Sequence, residues 1–128
     1  MPPSPSKPKS LRRLQAELFG RRGEDLAAWY LQAKLYRIVA RRFKTPLGEI
    51  DLIAERFGVL AFVEVKTRQR REDELDALLH VNRQRLVRAA QFYLTRNPKL
   101  VERPMRFDVI FLAPFSWPRH VRNAFDAS

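Results

Sequence analysis

The sequence predicts an α/β domain in which a mixed β-sheet is flanked by helices, with the elements in the order αβββαβ(β). Two stretches, near residues 17–34 and 82–97, space their apolar residues by three and four, as amphipathic helices do. Between and after them lie four apolar runs of strand length, and a shorter run closes the chain. With 128 residues, of which 45% are hydrophobic, the chain can bury the core of one domain.

The chain is predicted to consist of a tail and one domain. Residues 1–16 contain four prolines, three serines and several basic residues, and they show no pattern that would form a core. We therefore expect a flexible basic tail at 1–16 and a single domain at 17–126. The first helix of this domain spans about 17–34, and Leu26 falls on its apolar side.

Three strands are predicted to follow this helix. The first covers about 36–43, and a Thr-Pro-Leu-Gly turn at 45–48 leads to the second. The second and third strands are separated only by Arg-Phe-Gly-Val at 56–59, so a tight turn centred on Phe57 and Gly58 sets their antiparallel register. The opposed residues are then Arg56 and Val59, Ile53 and Phe62, Asp51 and Glu64, and Glu49 and Lys66.

A charged connection at 69–79 separates the third strand from the second helix, and we expect it to be mobile. The helix begins after Asn82, a good N-cap, and ends at an Asn-Pro pair at 97–98. Strands at 107–112 and 119–125 complete the domain. The predicted buried stripe of the helix consists of Leu86, Ala89, Ala90, Tyr93 and Leu94.

The charge of the chain indicates a polyanionic partner. Twenty-five Lys and Arg residues against 14 Asp and Glu residues give a net charge of +11 and a pI near 11.0. Such a protein attracts nucleic acid, and its binding should weaken steeply as the salt concentration rises. From charge alone, the alternatives are a ribosome-associated protein or a basic domain without a nucleic-acid role.

The composition also excludes several classes of function. The chain has no cysteines, which excludes disulfides, thiolate zinc sites and cysteine nucleophiles and fits a reducing compartment. No run approaches the roughly 18 apolar residues of a membrane span, and the Pro- and Ser-rich amino terminus lacks the apolar stretch of a secretory signal. We therefore expect a cytoplasmic protein with no membrane partner.

Two of the predicted strands carry acids where apolar residues would be expected. The segments 48–54 (Gly-Glu-Ile-Asp-Leu-Ile-Ala) and 62–68 (Phe-Val-Glu-Val-Lys-Thr-Arg) bring Asp51, Glu64 and Lys66 to one face of the hairpin. Two carboxylates so close repel each other unless a cation lies between them or a proton is shared. The functional interpretation is a Mg²⁺ site beside a phosphodiester, with Lys66 orienting the attacking water. The structural interpretation is a solvated hairpin face with acid–lysine pairs.

These segments, together with Arg-Gly-Glu-Asp-Leu-Ala-Ala at 22–28 and Arg-Phe-Asp-Val at 106–109, resemble the YraN-like family of uncharacterised bacterial proteins. That family is similar in turn to archaeal Holliday junction resolvases and to PD-(D/E)xK nucleases. The resemblance covers about 20–125 and implies a restriction-endonuclease-like fold. The catalytic residues it implies are Glu24, Asp51, Glu64 and Lys66, of which Asp51 and Glu64 would bind Mg²⁺ or Mn²⁺.

The start of the second helix departs from the family pattern, which often has a lysine there. Arg83, Gln84 and Arg85 occupy this position. Since arginine does not titrate, the position can only bind or orient phosphate. The preceding loop also differs, with Asp-Glu-Leu-Asp at 73–76. Against the alternative of a solvated helix face, the predicted nucleic-acid-binding residues are Arg68, Arg83, Gln84 and Arg85.

Several other residues have two interpretations. Glu24 is either a third metal ligand, or an orienting acid for water, or simply an acid favoured by the dipole near the start of a helix. Glu49 is interpreted as a cross-strand partner of Lys66, and His80 and His120 as residues without a metal or catalytic role. The aromatic residues interpreted as packing residues, not as platforms for stacked bases, are Trp29, Phe115 and Trp117.

The predicted function is that of a Mg²⁺-dependent endonuclease that hydrolyses phosphodiester bonds of DNA, with branched or otherwise structured DNA as a candidate substrate. The alternative is a nuclease fold that binds nucleic acid, or recruits a partner, without catalysis. DNA is favoured over RNA, although no residue excludes RNA. Because related resolvases act as dimers on a symmetric junction, the resemblance also admits a homodimer.

Overall fold

The computed structural model describes residues 23–68, 78 and 80–127. The predicted tail at 1–16, the predicted start of the first helix at 17–22 and most of the charged connection at 69–79 lie outside these residues. The described elements follow the predicted order and include the short last strand. They are α1 (23–33), β1 (Arg37–Thr45), β2 (Gly48–Arg56), β3 (Val59–Thr67), α2 (Arg83–Arg96), a 3-10 turn (Pro98–Leu100), β4 (Met105–Leu112) and β5 (Arg119–Phe125).

The five strands form one mixed sheet in the order β1-β2-β3-β4-β5. Neighbouring strands are antiparallel except β3 and β4, which run parallel from the pair Leu60 and Met105 to the pair Thr67 and Leu112. A parallel pair needs a long crossover connection, and α2 lies within it. The prediction of an α/β domain with a mixed sheet is confirmed.

The hairpin of β2 and β3 has the predicted register next to its turn, but the predicted pairs of Asp51 with Glu64 and of Glu49 with Lys66 lie beyond the end of the ladder and are not formed. Phe57 and Gly58 both have positive φ, 52° and 78°, as a two-residue type I′ turn requires. This turn matches the right-handed twist of the flanking strands, so it leaves little freedom in how they pair. The confirmed pairs are Arg56 with Val59 and Ile53 with Phe62, and the continuous ladder ends at Leu52 with Val63.

The sheet separates two buried apolar clusters, one beneath each helix. On the α2 side, the helix contributes the predicted residues Leu86, Ala89, Ala90 and Tyr93, and the sheet contributes Phe62 and Phe107 among others. On the α1 side, the members include Ala27, Ala28, Leu31, Leu52, Val63 and Ile110. The expectation that Leu26 packs inward is wrong, because its side chain is 45% exposed. In the described part of the chain, no helix has the length and apolar character needed to cross a membrane.

The start of α2 is fixed as the sequence predicts. The Asn82 side chain accepts a hydrogen bond from the Arg85 amide at 3.2 Å, which satisfies one of the amides that the first turn leaves without a partner. Gly48 of β2 lies directly beneath this turn, and a Cβ atom there would come within 3.0 Å of the Arg85 carbonyl oxygen. The glycine therefore allows β2 and the first turn of α2 to approach closely.

A polar network is buried on the α1 side of the sheet. Asp108 is 1% exposed and accepts hydrogen bonds from Arg106 Nε at 3.0 Å, from the Asn123 amide at 3.0 Å and from His120 Nε2 at 2.7 Å. Lys34 Nζ lies 3.1 Å from His120 Nδ1. Because an ammonium group only donates, Nδ1 accepts and Nε2 carries the proton. Burial alone would raise the pKa of Asp108, but the hydrogen bonds from His120, Arg106 and Asn123 outweigh it and lower the pKa.

Removing this carboxylate should destabilise the domain. For Asp108→Ala we expect the free energy of unfolding at neutral pH to fall by about 3–5 kcal/mol, because buried donors lose their acceptor. Urea unfolding measures this, with Asp25→Ala as the control, since Asp25 pairs with Arg41 at an exposed site. The lowered pKa of Asp108 means that its contribution is lost as the pH falls through that value, so the difference from wild type should shrink in acid. Equal effects of the two substitutions would contradict the assignment.

Candidate functional site

A pocket of about 300 Å³ lies where β2, β3 and the start of α2 meet. It contains three of the four predicted catalytic residues, Asp51, Glu64 and Lys66. The alternation of β3 directs Glu64 and Lys66 to the same side as buried Phe62, which is the α2 side. The full lining consists of Glu49, Asp51, Glu64, Lys66, His80, Asn82, Arg85 and Leu86.

The pocket opens where β2 and β3 stop pairing. Beyond the pair Leu52 and Val63, the Val65 amide donates a hydrogen bond of 2.8 Å to Asp51 Oδ2. In a continued ladder the partner of Val65 would be the main chain of Ile50. The carboxylate of Asp51 thus replaces a main-chain acceptor, and the two strands can separate without leaving a buried amide unsatisfied.

Both β1 and β2 are irregular at this level. Ile50 packs in the α2-side cluster and Leu52 in the α1-side cluster, although residues two apart on a regular strand share a face. Across from Asp51, the register places Arg42 of β1, which has a φ of 50° in the left-handed region. The Arg42 guanidinium forms an ion pair with Glu24 of α1. The sequence analysis did not single out Arg42, although its position opposite Asp51 is the signal that could have found it.

The carboxylates of the pocket differ in their electrostatic environments. Lys66 Nζ lies 3.1 Å from Glu64 Oε1, so one acid has a cationic partner within the site. Burial, and then the charge of Glu64, raise the pKa of Asp51 to about 7, with smaller contributions from Glu24 and Glu49. The Val65 amide opposes this shift without cancelling it. A cation placed beside Asp51 would therefore relieve an unfavourable charge.

Glu24 is close to the pocket without lining it. Its charge contributes to the raised pKa of Asp51, while its carboxylate is held by Arg42. The interpretation of Glu24 as only a helix-start acid omits this ion pair. The structure thus brings Glu24 near Asp51 and provides a specific cation that fixes its orientation.

The residues present fit a hard divalent cation with an incomplete set of protein ligands. Among the described residues, no three or more His, Asp or Glu side chains form a group that could hold a metal ion. Mg²⁺, however, commonly uses one or two carboxylates and completes its coordination with water and substrate oxygens. Asp51 and Glu64 supply such a pair, and the pKa of Asp51 is raised first by burial and then by the charge of Glu64.

The predicted nucleic-acid-binding residues occupy three places. Arg85 lines the acidic pocket, whereas Arg83 and Gln84 line a separate groove beside Arg88 on α2. Arg68 follows β3, and its amide donates a hydrogen bond of 2.8 Å to the Leu112 carbonyl. The four predicted nucleic-acid-binding residues are thus distributed around the end of β3 and the first turns of α2.

One of the secondary interpretations needs correction. Lys66 pairs with Glu64 on its own strand, whereas Glu49 was expected to be its partner. His80, interpreted as having no metal or catalytic role, is part of the pocket lining. His120, interpreted in the same way, is buried against Asp108, a structural contact that depends on the β4–β5 register.

These observations define a small, strongly basic α/β protein with a mixed sheet and a pocket in which two carboxylates and a lysine meet. The chain belongs to the uncharacterised protein family UPF0102, whose family model matches residues 23–112. This confirms the resemblance to the YraN-like family that the motifs indicated.

Relatives in this family align with nearly the whole chain. A UPF0102 protein of Rhodopseudomonas palustris (strain BisA53) is 46% identical over 125 residues, covering 98% of this chain and 96% of the relative. One of Bradyrhizobium sp. (strain ORS 278) is 48% identical over 126 residues, covering 98% and 89%. One of Rhodopseudomonas palustris (strain BisB18) is 50% identical over 116 residues, covering 91% and 86%. Their names state no activity, so the function has to be argued from the site.

The raised pKa of Asp51 predicts a pH-dependent effect of neutralising it. A carboxylate with a pKa raised to about 7 holds its proton more tightly in the folded state, so its ionisation destabilises the metal-free protein as the pH rises from about 4 to about 7. We expect Asp51→Asn to raise the free energy of unfolding by roughly 1–3 kcal/mol at about pH 8 and by less at about pH 5.

Chemical denaturation in the presence of a chelator measures this effect, with Asp25→Asn on the exposed face of α1 as the control. Asparagine can still accept the hydrogen bond from Val65, so the fold of the hairpin is retained. A gain in stability that is the same at both pH values would contradict the assigned environment of Asp51.

Proposed function

We propose that this protein is a divalent-metal-dependent endonuclease that hydrolyses phosphodiester bonds of DNA, including branched or otherwise structured DNA. The observation that supports it most directly is the meeting of Asp51, Glu64 and Lys66 in one pocket, with the pKa of Asp51 raised to about 7. Strongly perturbed carboxylates in a pocket are typical of functional sites. The proposal includes a restriction-endonuclease-like fold of the PD-(D/E)xK type, with which the mixed sheet agrees.

Asp51 and Glu64 would hold Mg²⁺, or Mn²⁺ in its place, in this proposal. When bound, such an ion supplies Lewis-acid stabilisation of the phosphoryl group and makes water a stronger nucleophile at neutral pH. The hydrogen bond from Val65 holds one oxygen of Asp51, so the carboxylate is already oriented before any ion arrives. Such preorganisation lowers the reorganisation needed during the reaction.

Lys66 is proposed to orient the attacking water and to offset the negative charge that develops on the phosphate. Its ammonium group is held 3.1 Å from Glu64, which keeps it beside the acid pair. The water oxygen forms a bond to phosphorus and releases a proton to solvent, the bond from phosphorus to the leaving oxygen breaks, and the leaving oxygen takes up a proton from solvent. Glu24, held by Arg42, is proposed to support this arrangement as a positioning residue.

Basic residues around the pocket are proposed to hold the nucleic-acid backbone. Arg85 is the member that shares the pocket with the acids, and Arg68, Arg83 and Gln84 lie to either side. Contacts of this kind go to phosphates, so they position the substrate without reading its sequence. The net charge of +11 favours the same class of partner.

The alternative is a module that binds nucleic acid without cutting it. One observation favours this alternative: arginines stand at the start of α2, where the resemblance to the YraN-like family implies a lysine. The two functions differ in one measurable respect. Binding without catalysis should persist in a chelator and should depend more on Arg83 and Arg85 than on Asp51.

The proposal predicts that Glu64→Gln lowers Mg²⁺-dependent cleavage at least about 100-fold without unfolding the domain, because it removes a metal-binding charge. The assay compares labelled linear, flapped and four-way DNA, and an RNA duplex, with Mg²⁺, Mn²⁺ or chelator. Glu55→Gln is the matched control, because Glu55 lies on β2, is ion-paired with Arg103 and is 21% exposed, against 20% for Glu64. Equal cleavage by wild type and Glu64→Gln would contradict the mechanism. Absence of cleavage by wild type, with binding retained, would favour the binding module.

The phosphate contacts predict a second result. Arg85→Ala should weaken DNA binding in chelator similarly for all sequences and reduce the magnitude of the salt slope by about 1, since one released counterion is lost. Fluorescence anisotropy at several salt concentrations measures both quantities. Lys99→Ala removes a cation from the 3-10 turn beyond the other end of α2 and serves as the control. Identical salt slopes for Arg85→Ala and Lys99→Ala would contradict the assignment of Arg85 to the DNA-binding surface.

A further inference from the structure

A second cavity lies outside the acidic pocket, between the start of α1 and the loop that joins β4 to β5. Its volume is about 520 Å³. It differs from the acidic pocket because none of the described residues that line it is charged. The lining residues are Gly23, Leu26, Leu112, Ala113, Pro114, Phe115, Ser116 and Trp117. We call this cavity the aromatic groove.

The aromatic side chains of the groove face solvent. Phe115 is fully exposed and Trp117 is 77% exposed. These two residues were interpreted as packing either in the core or at the surface, and their exposure excludes the core. Large aromatic side chains that stand out from a surface indicate an interaction site when they adjoin further apolar surface, as these adjoin Leu26.

The backbone holds Phe115 in this exposed position at an energetic cost. The Ser116 amide donates to the Ala113 carbonyl at 3.3 Å, with Pro114 at the second position of the turn and Phe115 at the third. Phe115 has a φ of 59°. A turn with proline second and a left-handed third residue is of type II, which normally has glycine or asparagine there. Phe57 in the β2–β3 turn is also strained and exposed, so what distinguishes Phe115 is that its ring adjoins the apolar groove.

The groove adjoins the proposed phosphate-binding end of β3. Leu112, in the wall of the groove, pairs with Thr67, which directly follows Lys66. A Cβ atom on Gly23 would lie 3.2 Å from Leu112 Cδ1 and 3.4 Å from Thr67 Oγ1, so α1, β3 and β4 converge here. The groove and the acidic pocket therefore lie at the same end of the sheet, on its two faces.

We propose that the aromatic groove binds unpaired nucleobases, which stack on Phe115 and Trp117 while the adjoining backbone is held by Arg68. This inference rests on the proposed function and specifies its substrate as nucleic acid with a single-stranded portion. A base needs a flat apolar partner and a nearby cation for its phosphate. The exposed rings provide the first. Arg68 provides the second, since its guanidinium donates a hydrogen bond of 2.7 Å to the carbonyl of Thr67, the residue that pairs with Leu112 of the groove wall.

The strained turn allows a test in which folding and binding change in opposite directions. Phe115→Gly relieves the left-handed strain, so we expect the urea midpoint of unfolding to rise or stay unchanged. The same variant should weaken binding to a single-stranded oligothymidine in chelator by about 5- to 150-fold, which is the range reported by alanine substitution for one stacked base. Affinity for a blunt duplex of the same length should change far less.

Phe57→Gly is the matched control. Phe57 is also an exposed phenylalanine in the left-handed region, with a φ of 52°, but it lies in the β2–β3 turn at the other end of these strands. The Phe57→Gly substitution should likewise raise the urea midpoint of unfolding or leave it unchanged, and it should leave binding of the oligothymidine unchanged. Equal affinities of Phe115→Gly and Phe57→Gly for the oligothymidine would overturn the proposal. Occupation of the groove by residues 1–22 or by a protein partner would give that same result.

Tryptophan fluorescence provides a direct readout. In a Trp29→Phe background, Trp117 is the sole tryptophan, and stacking of a base on it should quench its emission as oligothymidine is added. An unchanged emission at saturating oligothymidine would overturn the inference. Failure of the groove and failure of the proposed function are distinguishable, because metal-dependent cleavage that is lost in Glu64→Gln, together with oligothymidine binding that is unchanged in Phe115→Gly, supports the nuclease alone.

Discussion

The hydrogen bond from the Val65 amide to the Asp51 carboxylate is the interaction on which the pocket depends. Two strands joined by a tight turn would normally continue to pair, and a pair that separates leaves main-chain amides without acceptors. Here a side chain takes the place of the missing carbonyl. The group that allows the strands to part is also the acid of the pocket whose pKa is raised to about 7, so the proposed function assigns Asp51 a catalytic role in addition to its structural one.

This double role explains how an acidic pocket persists in a protein with a charge of +11. Three carboxylates in or near the pocket are fixed by different partners: Asp51 by an amide, Glu64 by Lys66 and Glu24 by Arg42. These partners do not fully neutralise the negative charge of the pocket, since the pKa of Asp51 remains raised. The surrounding arginines attract a polyanion, while the residual negative charge in the centre favours a cation between protein and phosphate.

The parts of the structure that the sequence could predict are those set by local geometry. The register of β2 and β3 followed from a two-residue turn, and the start of α2 followed from the N-cap Asn82, because each involves residues that are close in the chain. The restriction-endonuclease-like fold and the roles of the site residues came from the resemblance of motifs, and they stay predictions.

The features that the sequence did not reveal depend on distant pairings or on exposure. The ion pair of Arg42 with Glu24 needs α1 to pack beside an irregular strand, and His120 meets Asp108 only through the β4–β5 register. Hydrophobicity alone placed Leu26 inward, but the packed face of α1 is filled by Ala27, Ala28 and Leu31. Phe115 is exposed because of a turn conformation that phenylalanine rarely adopts.

The parallel pairing of β3 with β4 has a consequence for the order of folding. Strands β1 to β3 form a meander whose contacts are short in sequence, whereas Leu60 meets Met105 only after the whole α2 crossover has closed. Closing that long loop carries an entropic cost that the meander does not bear, and such non-local pairing is slow. The acid pair therefore belongs to the part of the chain that can assemble locally. Helix α2, which forms one wall of the pocket, is expected to pack onto the sheet later. The carboxylates of the pocket are therefore exposed to solvent in the nascent protein until α2 covers them.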